Sequence, residues 1–146
     1  MQGMVCGAAR FFCLFTLCAA MLLPACAFRD EADDVQEGMR IRVDLREEHR
    51  CSRMSPAIYV SDAPEGTAYY DVRLVEIQSE AQEVFLGGGA WEHDGTGLIP
   101  EGVLTRHYRG PCPASGRTGN YAFVVSAMSR KSMQPLAVRL YRFTQE

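Results

Sequence analysis

The segment "NYAFVVSAM", Asn120 to Met128, constrains the fold more than any other part of this 146-residue chain. Read with a period of two, Tyr121, Phe123 and Val125 fall on one side, and Ala122, Val124 and Met128 on the other. A strand that is apolar on both faces has no face to give to water and must lie in the middle of a sheet. The other candidate strands are half-buried. In "MRIRVDLR" the residues Met39, Ile41, Val43 and Leu45 alternate with Arg40, Arg42, Asp44 and Arg46. Further strands are predicted at Ala57–Ser61, Ala68–Ile77 and Leu136–Phe143. Between them stand "DAPEG", "GGG", "DGTG" and "GPCPASG", the Gly and Pro punctuation of shaped loops. Only "SEAQEVF", Ser79 to Phe85, reads as helix, and it is hardly two turns long. The expected fold class is therefore all-β, a single sandwich with little helix.

The start of the chain is set apart from this body. Residues 1–25 have the layout of an export signal: Arg10 is the one charge and Phe11–Leu23 is an apolar run shorter than a comfortable membrane span. "LPAC" resembles a bacterial lipobox, which would make Cys26 the lipidated first residue of the mature protein. "ACA" also satisfies the rule for ordinary signal peptidase, with cleavage after Ala27. The placing of Leu23, Ala25 and Cys26 before a polar stretch favours the lipoprotein. Residues 26–38 then read as a flexible tether, and 39–146 as the folded domain.

Removing residues 1–25 takes away one positive charge, so a formal net charge of −3 becomes −4. About 120 residues remain, a single-domain size. A mildly acidic chain without a basic cluster is not expected to bind nucleic acid, which is held by displacing counterions with Lys and Arg. Membrane association is expected through an N-terminal lipid anchor only. Of six cysteines, four lie in residues 1–26, which leaves Cys51 and Cys112. An even pair in an exported domain suggests a disulfide. No metal and no cofactor are expected, because there is no C-x-x-C and His49, His93 and His107 lack ligand spacing.

Several fragments, in order, resemble one family. "SPAIYVSDAPEGT", Ser55 to Thr67, is followed by a strand, by "GGG" at 87–89, by "GTGLIPEG" at 95–102, and by "YRGPCPASG" at 108–116 before the aromatic strand. This series is similar to the phosphatidylethanolamine-binding protein (PEBP) family, and to its short bacterial exported branch described as Raf-kinase-inhibitor-like. The resemblance runs from Cys51 to about Met128. It implies a β-sandwich with a small pocket at one end, walled by the Gly-Pro-Cys-Pro loop, that in family members holds a phosphate-like anion.

The resemblance also implies site residues, and several have changed chemistry. The acidic pair of the family falls at Glu76 and Gln78, so one acid is kept. The histidine before the triple glycine is Leu86. Where the family has His-Arg-Tyr or His-x-Tyr, this chain has Gly119, Asn120 and Tyr121. The implied pocket comprises Glu76, Gln78, Leu86, Gly87, Tyr108, Gly110, Pro111, Asn120 and Tyr121. It has lost two histidines that supply donors or charge near neutral pH, and would prefer a neutral or cationic small polar molecule to phosphate. Catalysis is not expected. Cys112 with His107 as its base lacks an orienting third group, and there is no nucleophile elbow, phosphate loop or dinucleotide fingerprint. Two readings of different class follow. One is a binding protein with an altered pocket; the other is a structural lipoprotein with a partner in the cell envelope. The double-proline loop is either a rigid turn that feeds a buried strand or the wall of a ligand site.

Overall fold

A computed structural model describes residues 38–146; the expected signal, Cys26 and nearly all of the tether lie outside the described residues. Two antiparallel sheets form. The smaller has the order β1-β2-β5, from Arg40–Asp44, Ala57–Ser61 and Leu98–Ile99. The larger has the order β4-β3-β6-β7, from Gln82–Glu92, Tyr69–Ser79, Gly119–Met128 and Ala137–Gln145. The only helical element among the described residues is one 3-10 turn, Glu47–His49.

The twofold apolar strand is β6, and it is internal to the larger sheet as its pattern requires. Tyr121, Phe123, Val125 and Ala127 enter the sandwich interior with Tyr70, Val72 and Leu74 of β3, opposite Val43, Ile58, Val60 and Ile99. On the outer face Ala122 and Val124 are also buried, in a second cluster with Val75. Phe143 of β7 stacks beside both Tyr121 and Phe123, at centroid distances of 5.6 and 5.8 Å. An aromatic truncation here, such as Phe123→Ala, removes contacts typically worth about 3–5 kcal/mol.

Ser79–Phe85 is not a helix. It is the tip of a long hairpin, in which Ser79 pairs with Gln82 and only Glu80 and Ala81 turn the chain. Seven residues cannot distinguish the two periods, and pairing along all of β3 and β4 supplies what local propensity does not. The triple glycine, expected as a turn, lies inside β4. Only Gly87 has positive φ, at 121°. Gly88 is needed for close approach, since a Cβ there would overlap the Val72 carbonyl.

Candidate functional site

The Gly-Pro-Cys-Pro loop is pinned on both sides. Towards the smaller sheet, the Gly110 amide donates to the Ser52 carbonyl at 2.6 Å and the Cys51 amide donates to the Pro111 carbonyl at 3.0 Å. The bridge Cys51–Cys112 closes beside them, with Cα atoms 4.6 Å apart and a sequence separation of 61. Both half-cystines are exposed. Towards the larger sheet, Arg106 exchanges both backbone hydrogen bonds with Gly88, and the Arg109 amide donates to Leu86 at 2.8 Å. A Cβ on Gly87 would overlap the backbone of Tyr108, so glycine is what lets this segment dock.

Leu86 owes its position to a register shift. Leu74 pairs with Gly87 and Val75 with Phe85, which leaves Leu86 as the extra residue of a bulge. Its side chain packs against the main core.

At the Tyr121 end, Glu76 and Tyr121 are paired across β3 and β6 and share a face. Burial, and then the Glu76 carboxylate, push the Tyr121 phenol above its ordinary range; a hydrogen bond from the Cys112 backbone and the charge of Arg50 act the other way. The phenol also occupies the space beside Gly119, where an added Cβ would lie 2.5 Å from the Tyr121 hydroxyl oxygen. The ring of Tyr121 thus fills the volume that a side chain at 119 would use.

No protein-family model matches the sequence, and no curated protein matches it at a significant level. Solved structures do match. The crystal structure of E. coli YbcL, described as a new member of the mammalian PEBP family, superposes with a TM-score of 0.57 at 15% sequence identity. The match covers 74% of this chain and 98% of YbcL. The chain has the PEBP fold.

Within the PEBP fold, the residues implied by the resemblance do not form one cluster. Glu76, Tyr121 and the Cys112 backbone come together. Leu86, Gly87 and Tyr108 meet at the docking of the 106–109 segment onto β4. Gly110 and Pro111 are buried in the joint with residues 49–52, where a Cβ on Gly110 would overlap the His49 carbonyl. Gln78 is exposed near the hairpin tip. Asn120 is exposed and, by strand alternation, on the opposite face from Tyr121. Even so, Asn120 and Tyr121 line one groove of about 550 Å³, together with Ile77, Glu83, Arg142 and Phe143.

The other side of the loop holds residues that pattern reading passed over. Arg53, Thr105, His107, Tyr108 and Arg109 line a cleft of about 310 Å³, with Leu104 at its apolar base. His107 has φ of 54°, an uncommon conformation for a residue with a Cβ. Tyr108 is buried, and its hydroxyl has no hydrogen-bond partner among the described residues. Burial holds that phenol well above its ordinary range, so it stays a neutral donor. These positions are scattered through two loops with no periodicity, and only the backbone ties between the loops bring them together.

One cluster has the composition of a metal site. Ligand atoms of Glu48, His49 and Glu101 lie within 4.8 Å of one another. The Arg46 guanidinium already sits among them, 2.5 Å from Glu48 and hydrogen-bonded to Glu101. His49 Nδ1 accepts from the Arg46 amide at 2.9 Å, so in the neutral ring Nε2 carries the proton and faces Glu101 at 3.5 Å. An internal cation and a proton occupy the places a metal ion would need. Cys112 is likewise unavailable as a nucleophile, because its sulfur is in the bridge.

Proposed function

We propose that this protein is an exported, non-catalytic binding module on the PEBP fold, whose pocket beside the Gly-Pro-Cys-Pro loop has lost phosphate or phospholipid-headgroup binding. The observation that carries this reading is the Tyr121 phenol lying over Gly119, with Glu76 paired beside it. A carboxylate there repels anions, and the phenol fills the space beside Gly119. The remaining polarity suits a neutral or cationic group. Phosphoethanolamine titrated calorimetrically against the protein and against Tyr121→Phe and Glu76→Gln tests it. The three affinities should agree; a change of about tenfold in either variant would put the phosphate at this pocket and overturn the reading.

Export is supported by the signal-like character of residues 1–25 and by a disulfide of the kind that persists in oxidising compartments. The lipobox-like "LPAC" supports anchoring of the mature protein to the cell envelope through acyl chains on Cys26. Cys26→Ser should then release the protein from membranes on fractionation, and unchanged membrane association would count against an anchor.

A second reading, a scaffold for an envelope protein partner, is favoured by the outer face of the larger sheet. Phe85, Val138 and Leu140 are exposed there around buried Val75, Ala122 and Val124. Apolar residues gathered on a sheet face are the usual mark of a protein contact.

A further inference from the structure

We propose that the cleft between Arg53 and Arg109, on the opposite side of the loop from Tyr121, binds a small phosphate-bearing anion. The first argument is charge. Arg40, Arg46, Arg106 and Arg130 each have a carboxylate partner: Asp62, Glu101, Asp71 and Glu92 respectively. Arg53 and Arg109 have none among the described residues, and neither do Arg42, Arg50, Arg73, Arg117, Arg139 and Arg142; what sets Arg53 and Arg109 apart is that they line one cleft together. No carboxylate lines the cleft. Two guanidiniums on one concave surface repel one another unless an anion lies between them.

The second argument is that the cleft is built. Arg53 follows the Cys51–Ser52 segment, which Gly110, Pro111 and the disulfide tie to the loop that carries Arg109. That loop is fixed in turn to β4 through Gly87 and Gly88. The two arginines therefore stand on backbones already joined, and only their side chains remain to be ordered when a ligand binds. His107 is held in a left-handed conformation between the Arg106 bridge to Gly88 and the Arg109 bond to Leu86. Strain of this kind persists only where the surroundings over-determine it, and it clusters at ligand sites.

The third argument concerns donors. Guanidinium groups match phosphate oxygens with paired N–H donors, and Thr105 adds a neutral hydroxyl to the lining. A volume of about 310 Å³ admits inorganic phosphate or a small phosphomonoester and is at the lower end for ligand pockets. The phosphate could come from a soluble molecule or from a lipid headgroup. The small volume of the cleft favours the soluble one.

Calorimetric titration of inorganic phosphate into the oxidised protein at low ionic strength tests this. Saturable binding is expected. Arg53→Gln and Arg109→Gln should each weaken it roughly tenfold or more, the scale of one charge-assisted hydrogen bond. Tyr121→Phe should leave it unchanged, which separates this site from the pocket treated above. Both arginines are exposed, so the variants should melt with the parent. No saturable binding, or affinity insensitive to both arginine variants, would overturn the proposal. So would sedimentation with vesicles containing phosphatidic acid in the absence of any binding of inorganic phosphate, because the cations would then serve a membrane surface.

Discussion

The two sides of the Gly-Pro-Cys-Pro loop share a backbone and differ in nearly everything else. Facing β6, the loop meets Tyr121, Gly119 and Glu76, and the Tyr121 phenol takes the space beside Gly119. Facing the 51–54 segment, it meets Arg53, His107 and Arg109 across an open cleft. Geometry alone therefore does not locate a binding site on this fold. One rigid wall can close one side and leave the other to whatever side chains the neighbouring loop presents.

Opening the bridge should disturb this contrast most. Cys51→Ser with Cys112→Ser removes a cross-link over a separation of 61 residues. The loop-entropy estimate is about 4 kcal/mol at most, readable as a lowered denaturant midpoint. Phosphate affinity should fall with it even under conditions where the variant stays folded, since Arg53 and Arg109 lose their common support. An unchanged midpoint would show that the backbone ties hold the wall alone.

Gly87→Ala comes next. The added methyl meets the Tyr108 backbone, at a φ of 121° that suits glycine. Strain and overlap together should cost about 3 kcal/mol. Because this glycine lets the 106–109 segment dock, the damage should appear at the Arg109 side before the Tyr121 side in hydrogen exchange. Equal loss of protection on both sides would break the distinction between them.

Gly119→Ala should cost less, about 1–3 kcal/mol, by pressing on the Tyr121 ring. Putting histidines at Leu86 and Gly119 should accordingly not create an anion site. The bulge turns position 86 towards the core, and the space at 119 is already occupied.

The smallest expected effect is on the alkaline limb of stability. Tyr70, Tyr108 and Tyr121 all hold their phenols above the ordinary 10.0, with burial the first cause in each. The unfolded chain gives up these protons first. The contribution is therefore fully present below pH about 10 and is lost as pH rises beyond it. Urea midpoints measured from about pH 8 to 11 should fall across the upper part of that range. Tyr108→Phe should flatten the fall more than Tyr121→Phe, and a flat profile in the parent would contradict these shifts.

Much of the architecture was legible because β-structure writes its period into the sequence. The two-faced pattern of 120–128 identified an internal strand, the alternation at 39–46 identified a half-buried one, and the cysteine remainder identified the bridge. The hairpin at 69–92 was not legible. Its second strand contains three glycines that read as a break, and only the approach of Val72, Leu104 and Tyr108 explains them. The acid and the tyrosine at the Tyr121 end were readable from the order of motifs, as Glu76 and Tyr121 fall on paired strands. Arg53, His107 and Arg109 were not, because their convergence depends on hydrogen bonds between two loops about 50 residues apart in sequence. Nothing local in either loop records that meeting.

The account stands most directly on which side of the loop a phosphate goes. Amide NMR of the uniformly labelled, oxidised protein, titrated with inorganic phosphate, reads both sides in one experiment. The predicted result is saturable shift change at Arg53 and across Thr105–Arg109, with Glu76, Gly119 and Tyr121 unmoved. Saturable changes centred on Glu76, Gly119 and Tyr121, with the arginine cleft silent, would contradict it.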